Sequence, residues 1–318
     1  MKITVIGCGR WGTFIAWYLN KIGHDVTLYG KENSTHFKQL VSERKNSYLT
    51  LSDSMKLSST LEKVLEADII VISINSQGLR ALMQELSPYN LKDKTFILCM
   101  KGIEIETGKR LSVVVRENMD KSNKIAVWIG PGHVEEFVKG VPNCMVIDSL
   151  DHHVKELLIK NFSSELIRFY YGKDLLGNEI GAASKNVIGI AAGVLDGLGL
   201  SSLKGALMSR GTREIARLIK AMGGNELSAY GLCHLGDYEA TVFSKYSHNR
   251  KFGESLVKGI SYDDLAEGYY TAKALKKLSV EYDVELPICN AVYKVLYENK
   301  EVKEVINELF ERSLKSEF

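Results

Sequence analysis

The chain has 318 residues, with 41 Lys and Arg against 39 Asp and Glu for a formal net charge of +2, 45% hydrophobic residues and 25% charged. A balance this near neutral provides no broad basic field, which argues against nucleic acid as the main partner, and the length exceeds what one core usually organises, so two domains are expected. The 5 cysteines, Cys8, Cys99, Cys144, Cys233 and Cys289, are scattered without CxxC pairs or metal-ligand spacing, so they read as reduced thiols and no metal site is expected. The opening MKITVIG reads as a strand and a glycine loop rather than a targeting signal, and a cytoplasmic location is expected.

Residues 2–6 form a short β-branched run, followed at once by Gly7-Cys8-Gly9-Arg10-Trp11-Gly12, a helical pattern over 13–22 and a second strand over 25–29. This order is the setting in which a GxGxxG segment binds a dinucleotide. Gly7 permits the tight turn, Gly9 lets the backbone approach a pyrophosphate, Gly12 lets helix pack on strand, and the helix N-terminus faces the phosphates. The second strand ends in Tyr29-Gly30-Lys31-Glu32, without an acid at the usual place for the ribose 2′-hydroxyl. Lys31 suits a 2′-phosphate and Glu32 keeps NAD open, so the cofactor is read as NADPH or NADH with a slight lean to NADPH. A surface lysine with no role is the competing reading.

A loop with Tyr48 and a helix through Glu66 lead to the apolar strand 68–74, DIIVISI, and its loop Asn75-Ser76-Gln77-Gly78. The strand over 95–100 runs into Lys101-Gly102-Ile103-Glu104, and the strand over 125–129 into Gly130-Pro131-Gly132-His133. Both loops fall at strand carboxyl ends, where open α/β sheets bind ligands. A strand over 143–147, a helix over 151–162 and a strand over 166–171 close the sheet. After Gly172 the periodicity is helical, through 178–200, 203–222, 264–282, 288–298 and 302–314. The expected architecture is an α/β Rossmann-type domain with a mostly parallel sheet, residues 1–174, followed by an all-helical domain, residues 175–318.

The most informative stretch is NEIGAASKNVIGIAAGVLDGLGL, where Lys185 stands among small and apolar residues. On a helix its neighbours are Gly181, Ala182, Ile188 and Gly189, so a ligand or a second backbone can come close. Lys185 and Asn186 near the middle, together with the glycines, argue against a membrane span. The lysine either snorkels to water or is held among apolar groups, where a neutral form suits proton transfer. Farther on, His234-Leu235-Gly236-Asp237-Tyr238-Glu239-Ala240-Thr241 and Ser247-His248-Asn249-Arg250-Lys251 interrupt the helices as candidate substrate loops. The second combines groups for a phosphate or carboxylate clamp, while helix capping is the alternative for Asp237 and Asn249.

The segments GCGRWGT, CMKGIE, IGPG, NEIGAASKNVIGIAAGVLDGLG, SRGTREIARL, HLGDYEAT, SHNRKFG and AEGYYTAKA, in this order across nearly the whole chain, resemble NAD(P)-dependent glycerol-3-phosphate dehydrogenases. The resemblance implies reduction of dihydroxyacetone phosphate to sn-glycerol 3-phosphate, feeding phospholipid synthesis, on a Rossmann domain and a helical substrate domain, and a homodimer. It implies Lys185 as the proton-transferring residue. Substrate contacts fall on Lys101, Gly130, Gly132, Asn186, Asp237, Thr241, Ser247, His248 and Asn249. Cofactor contacts fall on Arg10, Trp11, Tyr48, Lys101, Val134, His248, Leu265 and Glu267, beside the glycines and Lys31.

Four positions depart from the family pattern. His248 stands where an arginine is usual, so a fixed charge becomes one that titrates near neutrality, with Arg250 as the nearest compensating cation. Gly132 and Val134 replace a serine and an alanine, so those contacts either pass to the backbone or are lost, and His133 stands where an aromatic is usual. Two competing readings are a related reductase acting on a carboxylate substrate, against which KGIE and HLGD stand, and a dinucleotide-binding sensor without turnover.

Overall fold

The computed structural model describes residues 1–314 and 316–317, with the side chains of Lys63 and Val64 set aside. It divides into two compact units, one of Met1–Lys101 and Arg110–Leu175, the other of Gly102–Lys109 and Leu176–Phe318. The short excursion at 102–109 belongs to the second unit because Ile103, fully buried, joins that unit's apolar core.

The first unit alternates strands and helices: β1 (Lys2–Ile6), α1 (Arg10–Lys21), β2 (Asp25–Tyr29), α2 (Thr35–Glu43), β3 (Lys56–Ser58), α3 (Leu61–Val64), β4 (Ile69–Ile72) and α4 (Leu79–Leu86). It continues with β5 (Thr95–Leu98), α5 (Leu111–Asn118), β6 (Lys124–Ile129), α6 (Val134–Val138), β7 (Asn143–Ser149), α7 (His152–Phe162) and β8 (Ile167–Tyr171). The strands make one 8-stranded sheet in the order β3-β2-β1-β4-β5-β6-β7-β8. Pairing is parallel throughout except between β6 and β7. Central strands bury both faces, as β4 does with Ile69, Ile70, Val71 and Ile72 all buried, and so they read as unbroken apolar runs.

The topology turns back at β1, which lies between β2 and β4. In such sheets the crevice at the carboxyl ends of the two strands flanking the reversal is the ligand site. The glycine loop after β1 sits there against the end of β4: a Cβ on Gly7 would stand 2.1 Å from the Ser73 carbonyl oxygen. Helix α1 begins at Arg10, three residues before the expected 13–22 pattern, because Gly9 caps it directly after the turn. It packs through Phe14, Ile15, Tyr18 and Leu19, with Phe14 stacked on Phe137 at 5.0 Å between centroids.

The second unit contains α8 (Leu175–Gly197), α9 (Lys204–Ala221), α10 (His248–Lys258), α11 (Glu267–Glu281), α12 (Pro287–Tyr297) and α13 (Val302–Phe310). Between α9 and α10 the chain runs through short 3₁₀ turns and a π-helical turn, Glu239–Phe243. The buried Glu214 of α9 accepts hydrogen bonds from the amides of Ile288 and Cys289, at 2.9 Å each, and so caps the start of α12 from a distance. The small residues of α8 admit other chain segments. A Cβ on Gly193 would stand 1.8 Å from the Arg250 carbonyl oxygen, and one on Gly253 of α10 would stand 2.0 Å from that of Ile190. Among the described residues no helix is long and apolar enough to cross a membrane.

Candidate active site

In the first unit the glycine loop has the form a pyrophosphate requires. Gly7 takes φ +114°, and a Cβ on Gly12 would collide with the Gly7 carbonyl oxygen at 2.0 Å, so both must be glycine for the loop itself to close. At Gly9 a Cβ would meet nothing within 4 Å. Nothing in the protein's own packing requires glycine there. No side chain caps α1, so its first amides point outward from a positive helix end. The chain therefore fits a dinucleotide phosphate at this loop.

Several expected cofactor residues meet around Arg10. Its guanidinium lies 5.2 Å over the Tyr48 ring and pairs with Glu135, in the first turn of α6 beside the buried Val134. Trp11 packs on Phe14 at 5.1 Å and Phe137 at 6.2 Å. Glu135 was outside the sequence expectations, although its place at a helix start after a glycine-rich loop is where an acid is stabilised. Lys31 stands apart as an exposed lysine with its ammonium 3.7 Å from Glu85. Lys101 reaches the other expected loop, donating to the Gly130 carbonyl oxygen at 2.5 Å. Gly130 and Gly132 take φ of +133° and +146°, and a Cβ on Gly132 would strike the Phe137 ring at 2.3 Å, which accounts for glycine at 132 independently of any ligand.

In the second unit Lys185 does not snorkel. Its Nζ lies 2.8 Å from Asp237 Oδ2 and donates to Thr241 Oγ at 2.6 Å, with side-chain exposures of 8% for the lysine and 0% for the aspartate. Thr241 passes its own hydrogen to the Asp237 carbonyl oxygen at 2.7 Å, which turns the hydroxyl's lone pairs toward the ammonium. The neighbouring Asn186 accepts from the Asn249 amide at 3.1 Å, and Asn249 in turn accepts from the Gly268 amide at 2.8 Å. That amide follows Glu267, the first residue of α11, while Leu265 nearby is exposed. Short polar contacts thus make two sets within one unit, Lys185 with Asp237 and Thr241, and Asn186 with Asn249 and the Glu267 turn, brought together by the adjacency of Lys185 and Asn186 on α8.

Some expectations need correction. In the segment His234–Thr241, a candidate substrate loop, His234, Asp237, Tyr238 and Thr241 are buried. SHNRK opens a helix, because Ser247 accepts from the Arg250 amide and caps α10. Neither Asp237 nor Asn249 is the cap. The glycine face beside Lys185 receives other segments of the unit: a Cβ on Gly181 would stand 3.0 Å from His234 Cβ, and one on Gly189 would stand 2.7 Å from Thr241 Cγ2. Arg250 is engaged within the protein, with Asp196 at 2.7 Å from its Nη1 and the Ser244 carbonyl at 3.1 Å from its Nε. Burial pushes the Asp196 carboxyl up, but bonds from Lys204, Ser201 and Arg250 outweigh it and hold it below the usual range. His248 itself meets the Tyr262 hydroxyl at 2.8 Å and lies 3.5 Å from Asp264.

Residues 2–155 match the N-terminal model of the NAD-dependent glycerol-3-phosphate dehydrogenases and residues 174–307 the C-terminal one. The chain belongs to that family. It is 38% identical to the glycerol-3-phosphate dehydrogenase [NAD(P)+] of a Thermoanaerobacter species, with 100% of this chain and 99% of the relative covered. Its identity to the enzyme of the same name from Macrococcus caseolyticus is 36%, with 100% of both covered. The crystal structure of glycerol-3-phosphate dehydrogenase from Coxiella burnetii superposes with a TM-score of 0.92 at 27% identity, covering 98% of this chain and 99% of that one.

Proposed function

We propose that this chain reduces dihydroxyacetone phosphate to sn-glycerol 3-phosphate at the expense of NADPH or NADH, with Lys185 as the proton donor. The observation that carries the reading is the buried Lys185 ammonium held between Asp237 and Thr241. When bound, the reduced nicotinamide supplies the hydride. Lys185 gives its proton to the substrate's C2 oxygen as negative charge develops there, and in the reverse direction the neutral amine takes that proton back. Asp237 and Thr241 fix the ammonium, so little reorganisation accompanies the transfer.

The arrangement supports further roles. Asn249, His248 and Ser247 at the start of α10 are assigned to the substrate phosphate, and Asn186 to a substrate hydroxyl. Lys101, aimed at the Gly130 loop, is assigned to cofactor and substrate contact. Arg10, Trp11, Tyr48 and Val134 are assigned to the cofactor with the glycine loop, and Leu265 and Glu267 to the cofactor from the second unit. Residues 1–174 would serve as the cofactor domain and 175–318 as the substrate domain of a cytoplasmic homodimer whose product feeds phospholipid synthesis.

The test is oxidation of NADPH and NADH by the purified protein with dihydroxyacetone phosphate. Substrate-dependent oxidation is expected, and the ratio between the two cofactors reports whether Lys31 reads a 2′-phosphate. Tight cofactor binding with no oxidation of either would overturn the reading.

A further inference from the structure

His234 has no part in the proton transfer, yet it bonds to both sides of the Lys185–Asp237 pair. Its ring Nδ1 lies 2.8 Å from the Gly181 carbonyl oxygen and its Nε2 lies 2.8 Å from the Tyr238 hydroxyl. A carbonyl only accepts, so Nδ1 carries the hydrogen, and in the neutral ring Nε2 accepts from the Tyr238 hydroxyl. Gly181 is four residues before Lys185 on α8, and in an α-helix its carbonyl is the acceptor of the lysine's own amide. On the other side, the backbone carbonyl of His234 accepts from the Asp237 amide at 3.0 Å. One residue thus anchors the turn that bears the lysine and the turn that bears the aspartate.

The surroundings leave this anchor little freedom. His234 is fully buried, and its Cβ occupies the space that a side chain on Gly181 would need. Tyr238, also fully buried, packs its ring edge-on to the imidazole with centroids 4.9 Å apart. The Tyr238 hydroxyl stands 3.5 Å from Thr212 Oγ of α9, so the polar chain extends from α8 through the 3₁₀ segment to a second helix.

We propose that His234, supported by Tyr238, is a positioning residue for the lysine, holding Lys185 and Asp237 in register as a neutral imidazole. This deepens the proton-transfer reading and rests on it. Neutrality matters because Lys185 lies close enough to repel an imidazolium, while Asp237 attracts one. Burial, with Lys185 adding to it, outweighs the Gly181 bond and Asp237 and lowers the imidazole's proton affinity. Glu214 and Cys289 act on the Tyr238 end of this hydrogen-bonded chain.

The experiment compares wild type with His234→Phe, His234→Asn and Tyr238→Phe. His234→Phe fills the space without a donor, whereas His234→Asn keeps an N–H for Gly181. His234→Phe should lower kcat about 10- to 100-fold, the scale of a misplacement near 1 Å, with the Kd for NADPH unchanged. His234→Asn should restore most of the loss. Wild-type kcat in both His234→Phe and Tyr238→Phe would overturn the proposal, as would losses in kcat that follow only the fall in Tm and are not restored by His234→Asn. If His234→Phe does not fold, Tyr238→Phe, which lacks one oxygen, carries the test with an intermediate fall in kcat. Trace acetylation of Lys185 against pH, read by mass spectrometry, needs no substrate. If wild type does not turn over dihydroxyacetone phosphate, the proton-transfer reading fails. The positioning claim is then decided by whether His234→Phe shifts the labelling profile and His234→Asn returns it, an unchanged profile overturning it.

Discussion

Lys185 Nζ lies 2.8 Å from Asp237 Oδ2, and the aspartate side chain is fully buried. A pair this enclosed is costly to break from one side, because the remaining charge keeps its desolvation penalty without its partner. Lys185→Ala should lower kcat by about 10²-fold or more, the usual scale of a positioned proton donor, while leaving cofactor affinity intact. It should also destabilise the fold by about 3–5 kcal/mol, and adding Asp237→Ala should recover part of that loss. Turnover, cofactor titration and urea denaturation of the two variants separate these effects. Wild-type turnover in Lys185→Ala would place the proton donor elsewhere.

The phosphate end predicts a pH effect. His248 opens α10 with its Nδ1 2.8 Å from the Tyr262 hydroxyl and 3.5 Å from an Asp264 carboxylate oxygen. Burial, then the Asp264 charge, pushes the Tyr262 hydroxyl up to about 12, so it keeps its proton near neutrality. A protonated His248 attracts a phosphate and a neutral one does not. The KM for dihydroxyacetone phosphate should therefore rise with pH as the imidazole loses its proton. His248→Arg should flatten that rise. Equal slopes in the two proteins would remove His248 from phosphate binding.

Much of the first unit could be read from local rules, because buried parallel strands are continuous apolar runs and GxGxxG has a fixed place between a strand and a helix. Short helices were harder. α6 has five residues, and α10 opens with SHNRK, whose polar side chains hide the capping role of Ser247. The excursion at 102–109 was invisible because Ile103 belongs to a core built mainly from residues far along the chain. At the site, the sequence singled out Lys185, Asp237 and Thr241 but could not show that the glycines around Lys185 admit His234 and Thr241. His234 gives no signal in the sequence for the same reason. Its partners lie at Tyr238, in a segment that reads as a polar loop, and at Gly181, 53 residues away.

That buried imidazole also predicts acid sensitivity. Desolvation is the largest cause holding His234 down to about 4 from an ordinary value of 6.5. The unfolded chain therefore binds its proton first as the pH falls, so the stabilisation from the neutral ring is complete above about pH 6.5 and is lost progressively toward pH 4. The whole span corresponds to about 3 kcal/mol. His24, lowered by its own partial burial, contributes in the same direction, so the difference between proteins is the informative quantity. Stability of His234→Asn should fall less steeply than wild type between pH 6.5 and 5. Parallel curves from chemical denaturation at several pH values would mean that His234 takes up its proton in the folded state as readily as in the unfolded one.

The glycine loop offers a contrast between two residues three positions apart. A Cβ at Gly12 would stand 2.0 Å from the Gly7 carbonyl oxygen, whereas one at Gly9 would meet nothing within 4 Å. Backbone cannot yield as a flexible side chain can, so Gly12→Ala should destabilise the first unit by about 1–3 kcal/mol, as overpacking does, and weaken cofactor binding along with it. Gly9 has φ −71°, a conformation open to any residue, so Gly9→Ala should keep the wild-type Tm. Its methyl group would occupy the space into which a pyrophosphate must come, and NADPH and NADH affinity should fall about tenfold or more, equivalent to about 1.4 kcal/mol. Thermal unfolding with cofactor titration on both variants measures the contrast. A Gly9→Ala protein that binds cofactor as tightly as wild type would mean that the phosphates do not approach the backbone there, leaving the amides opening α1 without the role assigned to them.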